Sequence, residues 1–213
     1  MSSEYGIDPP LSYNKYLKVR ELLSLQETLS EPTSHDELLF IVIHQTYELW
    51  FKQILHEVDA TVQWLDEGRA FRVNHSLRAV TAIEKVMVGQ IHVLESMAQI
   101  GFLEFRDKLN PASGFQSMQF RELEFASGQK DERILNSFKE DEYAYARLKR
   151  RFEAPSLADA FWALLERSGF SVESHDERVA AIVKILSRPE TYADLFIMQD
   201  LLIDHDENIS FAQ

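Results

Sequence analysis

Cysteine is absent from the 213-residue chain. That excludes disulfides, thiolate metal ligands, covalent haem attachment through Cys-x-x-Cys-His and cysteine nucleophiles. Glycine and proline are scarce, 7 and 6 residues, which leaves little room for loops and favours helices. Cations are the minority: 22 Lys and Arg face 35 Asp and Glu, a formal charge of -13. Nucleic acid is therefore not an expected partner, because phosphate binding depends on clustered Lys and Arg. The one basic cluster, Arg147, Lys149, Arg150 and Arg151, follows an acidic run and reads as a solvated helix face. No apolar run exceeds six residues, Leu38 to Ile43, and the N-terminus MSSEYGIDPP has neither a basic n-region nor an apolar h-region. No membrane span or secretion signal is expected, and a cytoplasmic location is.

Several catalytic signatures are missing as well. No His follows a Glu by three residues, and there is no His-Glu-x-x-His, Gly-x-Ser-x-Gly, Walker loop or Gly-x-Gly-x-x-Gly. His35 falls in the first turn of a helix and His56 on a polar stripe, while His175 and His205 each precede an Asp and read as surface residues.

What is present is a long apolar helix with one histidine in its middle. Ser34 with Glu37 three residues on predicts a capping box, and helical periodicity continues to about Gly68. At about 100° per residue, Gln45, Glu48, Lys52, His56 and Asp59 share a polar stripe, beside an aromatic-rich stripe of Phe40, His44, Tyr47, Phe51 and Leu55. The helix is predicted to be buried on most sides. His44 is then either a core histidine bonded to a neighbour such as Glu48, or a pocket histidine facing a bound aromatic or cofactor.

In chain order, residues 1–12 read as an extended tail. The segment 13–31, with Tyr13, Tyr16 and Leu17, is either an amphipathic piece packed on its own core or an arm reaching a partner subunit. A second long helix is predicted from about 74 to 98, with Val80, Ile83, Met87, Ile91, Leu94 and Met97 as its core stripe. Further helices are expected over about 131–139, 141–153, 157–168 with Gly169 as a C-cap, 177–187, and from 190 onward. No alternating run long enough for a strand appears, so the fold class is all-α. The stretch 101–125 differs: Arg106 stands between aromatics and a turn, and 110–114 breaks the helix at Ser113-Gly114. Such a turn either offers backbone donors to a ligand or only connects helices, and a nearby arginine can hold a carboxylate.

Two strings, HDELLFIVIHQTYELWFKQILHE (35–57) and FRDKLNPASGFQSMQFRELEF (105–125), closely resemble the two signature regions of the tryptophan 2,3-dioxygenase family. Tyr13 to Leu25 and EAPSLADAFWALLERSGF (153–170) resemble further elements of that family, in register over nearly the whole chain. The resemblance implies a multi-helix bundle, residues 1–213 forming a single helical domain, that carries haem b. With dioxygen as co-substrate it would open the indole ring of L-tryptophan to give N-formyl-L-kynurenine. The implied site has Phe40 and His44 against the indole, with His44 on the distal side of the haem and bonded to the indole nitrogen. Arg106 would grip the substrate carboxylate, and Ser113 and Gly114 would line the pocket. Phe102 stands where relatives carry Tyr or Phe, so it supplies no hydroxyl, and Ile91 stands at a position more often aromatic. Tyr13, Tyr16 and Leu17 match residues lent to the neighbouring subunit's site, implying a homo-oligomer, a tetramer. No metal ligand is assigned within 1–213, because the proximal haem histidine is expected beyond Gln213. The alternatives are a related haem oxygenase acting on another indole or a phenol, and a non-catalytic helical relative.

Overall fold

The computed structural model describes residues 11–211, which are helical with no strand among them. Most of the expected tail, residues 1–10, lies outside the described residues. In chain order come α1 (Tyr13–Tyr16), α2 (Val19–Leu22), α3 (Glu37–Asp66), α4 (Ala70–Glu95) and α5 (Gln99–Leu109). A 3₁₀ turn (Gly114–Gln116) leads into α6 (Met118–Ser127), followed by α7 (Glu132–Ser137), α8 (Glu142–Glu153), α9 (Leu157–Arg167), α10 (His175–Leu186) and α11 (Ala193–Phe211). The segment 13–31 forms only the two short turns α1 and α2, and Tyr13, Tyr16 and Leu17 are exposed.

The 3.6-residue period explains the packing. On α3, Phe51, Ile54, Leu55, Val58 and Leu65 recur at helical spacing and are buried, and on α4 Val73, Leu77, Val80 and Met87 do the same. These faces meet as a hairpin, with α6 and α9 laid against α3 and α11 against α4. Leu165, Ile185 and Met198 complete one contiguous core. Each fully buried side chain of this kind contributes about 1.5–3 kcal/mol. Among the described residues no single helix is long and apolar enough to cross a membrane; α4 and α5 meet that test only together, bent by 103°.

Helix ends are set locally. Gly169, at φ 85°, closes α9 as the sequence predicts, its N–H donating to the Glu166 carbonyl. The capping box at Ser34 is not formed. Asp36 is the N-cap, without a side-chain bond, and the Ser34 hydroxyl donates to Glu104 at 2.7 Å. Glu37 is buried and accepts the N–H groups of Leu29 and Ser30, at 2.7 and 3.0 Å, together with the Ser30 hydroxyl. The loop before α3 runs over the helix start, so its own unpaired donors take the carboxylate. Burial raises the Glu37 pKa, but the bonds from Leu29 and Ser30 outweigh it and hold the group below its ordinary value.

Two other charge readings are corrected. From Phe120 to Ser127, α6 is buried all round, and its charges are matched: Arg121 with Glu124 at 2.7 Å and Glu122 with Arg147 at 2.6 Å. Arg147 and Arg151 of the basic cluster are therefore not a solvated face, since Arg151 pairs with Asp59, and only Lys149 and Arg150 of that cluster are exposed. His205 is not a surface residue either. It is 1% exposed on α11, with Nδ1 2.6 Å from Glu84 Oε1 and Nε2 2.9 Å from Ser127 Oγ. Finally, α5 comes close to the start of α3 at the buried Gly101, where any Cβ would run into the Asp36 carboxylate.

Candidate functional site

A cavity of about 890 Å³ opens between α3, α4, the turn at 113–117 and α6. One wall carries His44, Tyr47, Glu48 and Phe51 from α3, and a second carries Met87, Val88 and Ile91 from α4. The third is Ser113, Gly114, Phe115, Ser117, Phe120 and Arg121. The volume falls within the range of about 300–1,000 Å³ that ligand pockets span.

His44 is half-buried rather than enclosed, because its stretch of α3 faces this opening. Its Nδ1 lies 2.7 Å from the Phe40 carbonyl one turn back. A carbonyl only accepts, so Nδ1 carries the hydrogen, and in the neutral ring Nε2 keeps its lone pair. The expected bond to Glu48 does not form. That carboxylate instead accepts the Ser117 hydroxyl at 2.6 Å and the Gln119 amide at 2.8 Å. The Tyr47 hydroxyl donates to the Met87 carbonyl at 2.9 Å, pinning α3 to α4, and burial pushes its pKa up.

Beside the cavity lies a run of aromatic contacts. The Phe40 ring sits 4.0 Å from the His44 ring and 5.8 Å from Phe102, with Phe105 closing the group at 5.4–5.5 Å. Arg106 is exposed on α5, its guanidinium 6.0 Å from the Phe102 ring. Of the residues singled out from sequence, His44, Ser113 and Gly114 share the cavity wall; Phe40, Phe102 and Arg106 form the adjacent cluster and do not line it. Tyr13, Tyr16 and Leu17 stand on α1 and its C-cap, away from both.

The structure also assembles what periodicity did not assign to a site. Tyr47, Glu48, Met87, Ser117 and Arg121 all line the cavity. Glu48 was legible only as a polar-stripe neighbour of His44, and Met87 only as core. Arg121 is held by Glu124 through two bonds of 2.7–2.8 Å, a pairing visible in sequence merely as a three-residue spacing.

A family model described as tryptophan 2,3-dioxygenase matches residues 4–179. The chain belongs to the tryptophan 2,3-dioxygenase family. A tryptophan 2,3-dioxygenase of Nocardioides sp. (strain ATCC BAA-499 / JS614) is 48% identical over 203 residues, 92% of this chain and 76% of that protein. One from Herpetosiphon aurantiacus is 48% identical over 164 residues, 77% of this chain and 63% of that protein. A third, from Anaeromyxobacter sp. (strain K), is 44% identical over 171 residues, 80% and 64% of the two chains. The chain thus spans between 63% and 76% of these relatives' lengths. As expected from sequence, this tryptophan 2,3-dioxygenase family member is all-α over the described residues; residues from both signature stretches line one cavity.

Proposed function

We propose that this chain acts as a tryptophan 2,3-dioxygenase, holding haem b and cleaving the indole C2–C3 bond of L-tryptophan with dioxygen to give N-formyl-L-kynurenine. One observation carries the reading: His44, from the first signature stretch, and Ser113 and Gly114, from the second, converge on a single large cavity.

The residues present fit a porphyrin. Phe51, Met87, Val88, Ile91 and Phe120 give the cavity broad apolar walls suited to a flat macrocycle. A Cβ built on Gly114 meets no protein atom within 4 Å, so the turn leaves open space on its side. The cations on the wall, Arg121 and Lys130, are already engaged by Glu124 and by the Ala154 carbonyl. We place no iron ligand within 1–213.

Haem, when bound, supplies the activation of dioxygen. The chain's own residues orient and hold the substrate. His44, fixed by Phe40 with its Nε2 lone pair free to accept, takes the indole N–H and sets the ring's direction. Phe40 and Phe102 form the aromatic flank, and Arg106 takes the carboxylate through two parallel hydrogen bonds from its place beside Phe102. Tyr13, Tyr16 and Leu17, exposed at 76%, 72% and 45%, reach the neighbouring subunit's site in a homotetramer. Residues 1–213 act as a single helical domain in the cytoplasm.

The test uses hemin, L-tryptophan and a reductant, added to this chain and to a chimera bearing the part of the Nocardioides relative that this chain does not match. A Soret band and formylkynurenine absorbance in the chimera support the reading. Neither signal in either protein overturns it.

A further inference from the structure

The turn that carries Ser113 and Gly114 is braced within itself. Ser113 and Gln116 form a reciprocal capping box, and the N–H groups of Gln116 and Ser117 donate to the carbonyls of Ser113 and Gly114 at 2.9 and 3.1 Å. It is a rigid one-turn unit whose residues 113–116 are exposed, so its position over the cavity depends on how it is fastened to the helices behind it.

That fastening converges on Glu48. The Ser117 hydroxyl donates to Oε1 at 2.6 Å, the Gln119 amide donates to Oε2 at 2.8 Å, and the same amide reaches the Glu48 carbonyl at 2.9 Å. Ser117 simultaneously accepts the Phe120 N–H at 3.2 Å as N-cap of α6, so one hydroxyl joins the turn, α6 and α3. The other polar tie behind the turn is the longer bond from Arg121 Nε to the Phe115 carbonyl, 3.4 Å. Glu48 lies one helical turn beyond His44 on α3, and both line the cavity. The Glu48 carboxylate is therefore the direct polar link between the helix that carries His44 and the segment that carries Ser113 and Gly114.

We propose that Glu48 is a positioning residue for the dioxygenase reaction, clamping the Ser113–Gly114 turn at a fixed distance from His44 and so setting the width of the substrate cavity. The proposal rests on the functional reading above. It accounts for a half-buried carboxylate on the α3 wall of the cavity that is turned to Ser117 and Gln119 rather than to His44. A displaced turn loosens ground state and transition state alike, which raises KM more than it lowers kcat. Aspartate is one methylene shorter and cannot span Ser117 and Gln119 together. Glutamine keeps an acceptor for Ser117 but presents N–H to Gln119.

The experiment compares Glu48→Ala, Glu48→Asp and Glu48→Gln with the parent protein by amide hydrogen exchange and, in the hemin-loaded chimera, by steady-state kinetics. Faster exchange confined to residues 113–121 is expected for Ala and Asp, with Gln intermediate. Losing charge-assisted bonds predicts a KM for L-tryptophan raised about 10-fold or more in Glu48→Ala, kcat falling about 3-fold at most, and partial rescue in Glu48→Gln. Unchanged exchange at 113–121 or an unchanged KM overturns the clamp. Should exchange respond as expected while neither the parent protein nor the chimera binds hemin or turns over, the clamp stands as geometry and the functional reading fails instead. A variant that exchanges globally has unfolded; Ser117→Ala, which removes the bond from the other end, then decides the question by the same two readouts.

Discussion

His205 Nδ1 and Glu84 Oε1 lie 2.6 Å apart in the interior, with Ser127 Oγ 2.9 Å from the other ring nitrogen. The bond ties α11 to α4, and through Ser127 to α6, with Asn208 adding a donor to the second Glu84 oxygen at 3.3 Å. His205→Ala leaves a 4%-exposed carboxylate short of its shortest bond and opens a void. Urea unfolding is expected to show a loss of about 3–5 kcal/mol. Ser127→Ala, which leaves the His205–Glu84 contact in place, is expected to lose about 1 kcal/mol.

Glu37 gives stability a defined pH dependence. Its folded pKa is lowered, so the unfolded chain binds the proton more tightly and the contribution is complete above the ordinary glutamate value of about 4.3. It is lost as pH falls from there through the folded pKa. Unfolding free energies of the parent and Glu37→Gln should differ by about 2 kcal/mol at pH 7 and converge in the acid limb. A constant difference across that limb would falsify the assignment.

His44→Ala removes one acceptor for a neutral donor. The expected loss in kcat/KM for L-tryptophan is about 2–12-fold. 1-Methyltryptophan, which has no indole N–H, should lose nothing further from the same substitution, and this comparison separates lost acceptance from lost packing.

Arg106→Lys replaces a two-pronged donor with a point charge. Hydrogen bonds to charged groups are worth about 1.5–3 kcal/mol, so the KM for L-tryptophan should rise about 10-fold or more. Tryptamine, lacking the carboxylate, should not distinguish the two proteins. An unchanged KM would place the carboxylate elsewhere.

Much of the fold was legible because helical periodicity and breaker residues are local. The ends of α3 and α9 follow from apolar spacing and from Gly68 and Gly169. The misread residues are those whose partners lie far along the chain. Ser34 and Glu37 have capping-box spacing, yet each is claimed by a donor or acceptor outside the helix, Glu104 and the loop at 29–30. His205 beside Asp204 and Asp206 looks solvated until Glu84, 121 residues away, is brought against it. The site divided in the same way. His44 and the Ser113–Gly114 turn stood out in the residue pattern and took on a role only through resemblance, whereas Glu48 as their link needed the tertiary contact with Ser117. Arg106 was expected in the pocket and stands exposed at its edge, a placement no spacing rule encodes.

Gly101 gives the site a dependence on backbone thickness. Since a side chain there would meet Asp36, the hydrogen atom in its place lets α5 lie close enough for Phe102 and Phe105 to touch Phe40. A larger side chain at this point would leave every residue named in the site chemically intact, yet would have to displace the Asp36 side chain or push α5, with Phe102 and Phe105, away from Phe40. The contact between α5 and Phe40 thus depends on a position that carries no functional group of its own.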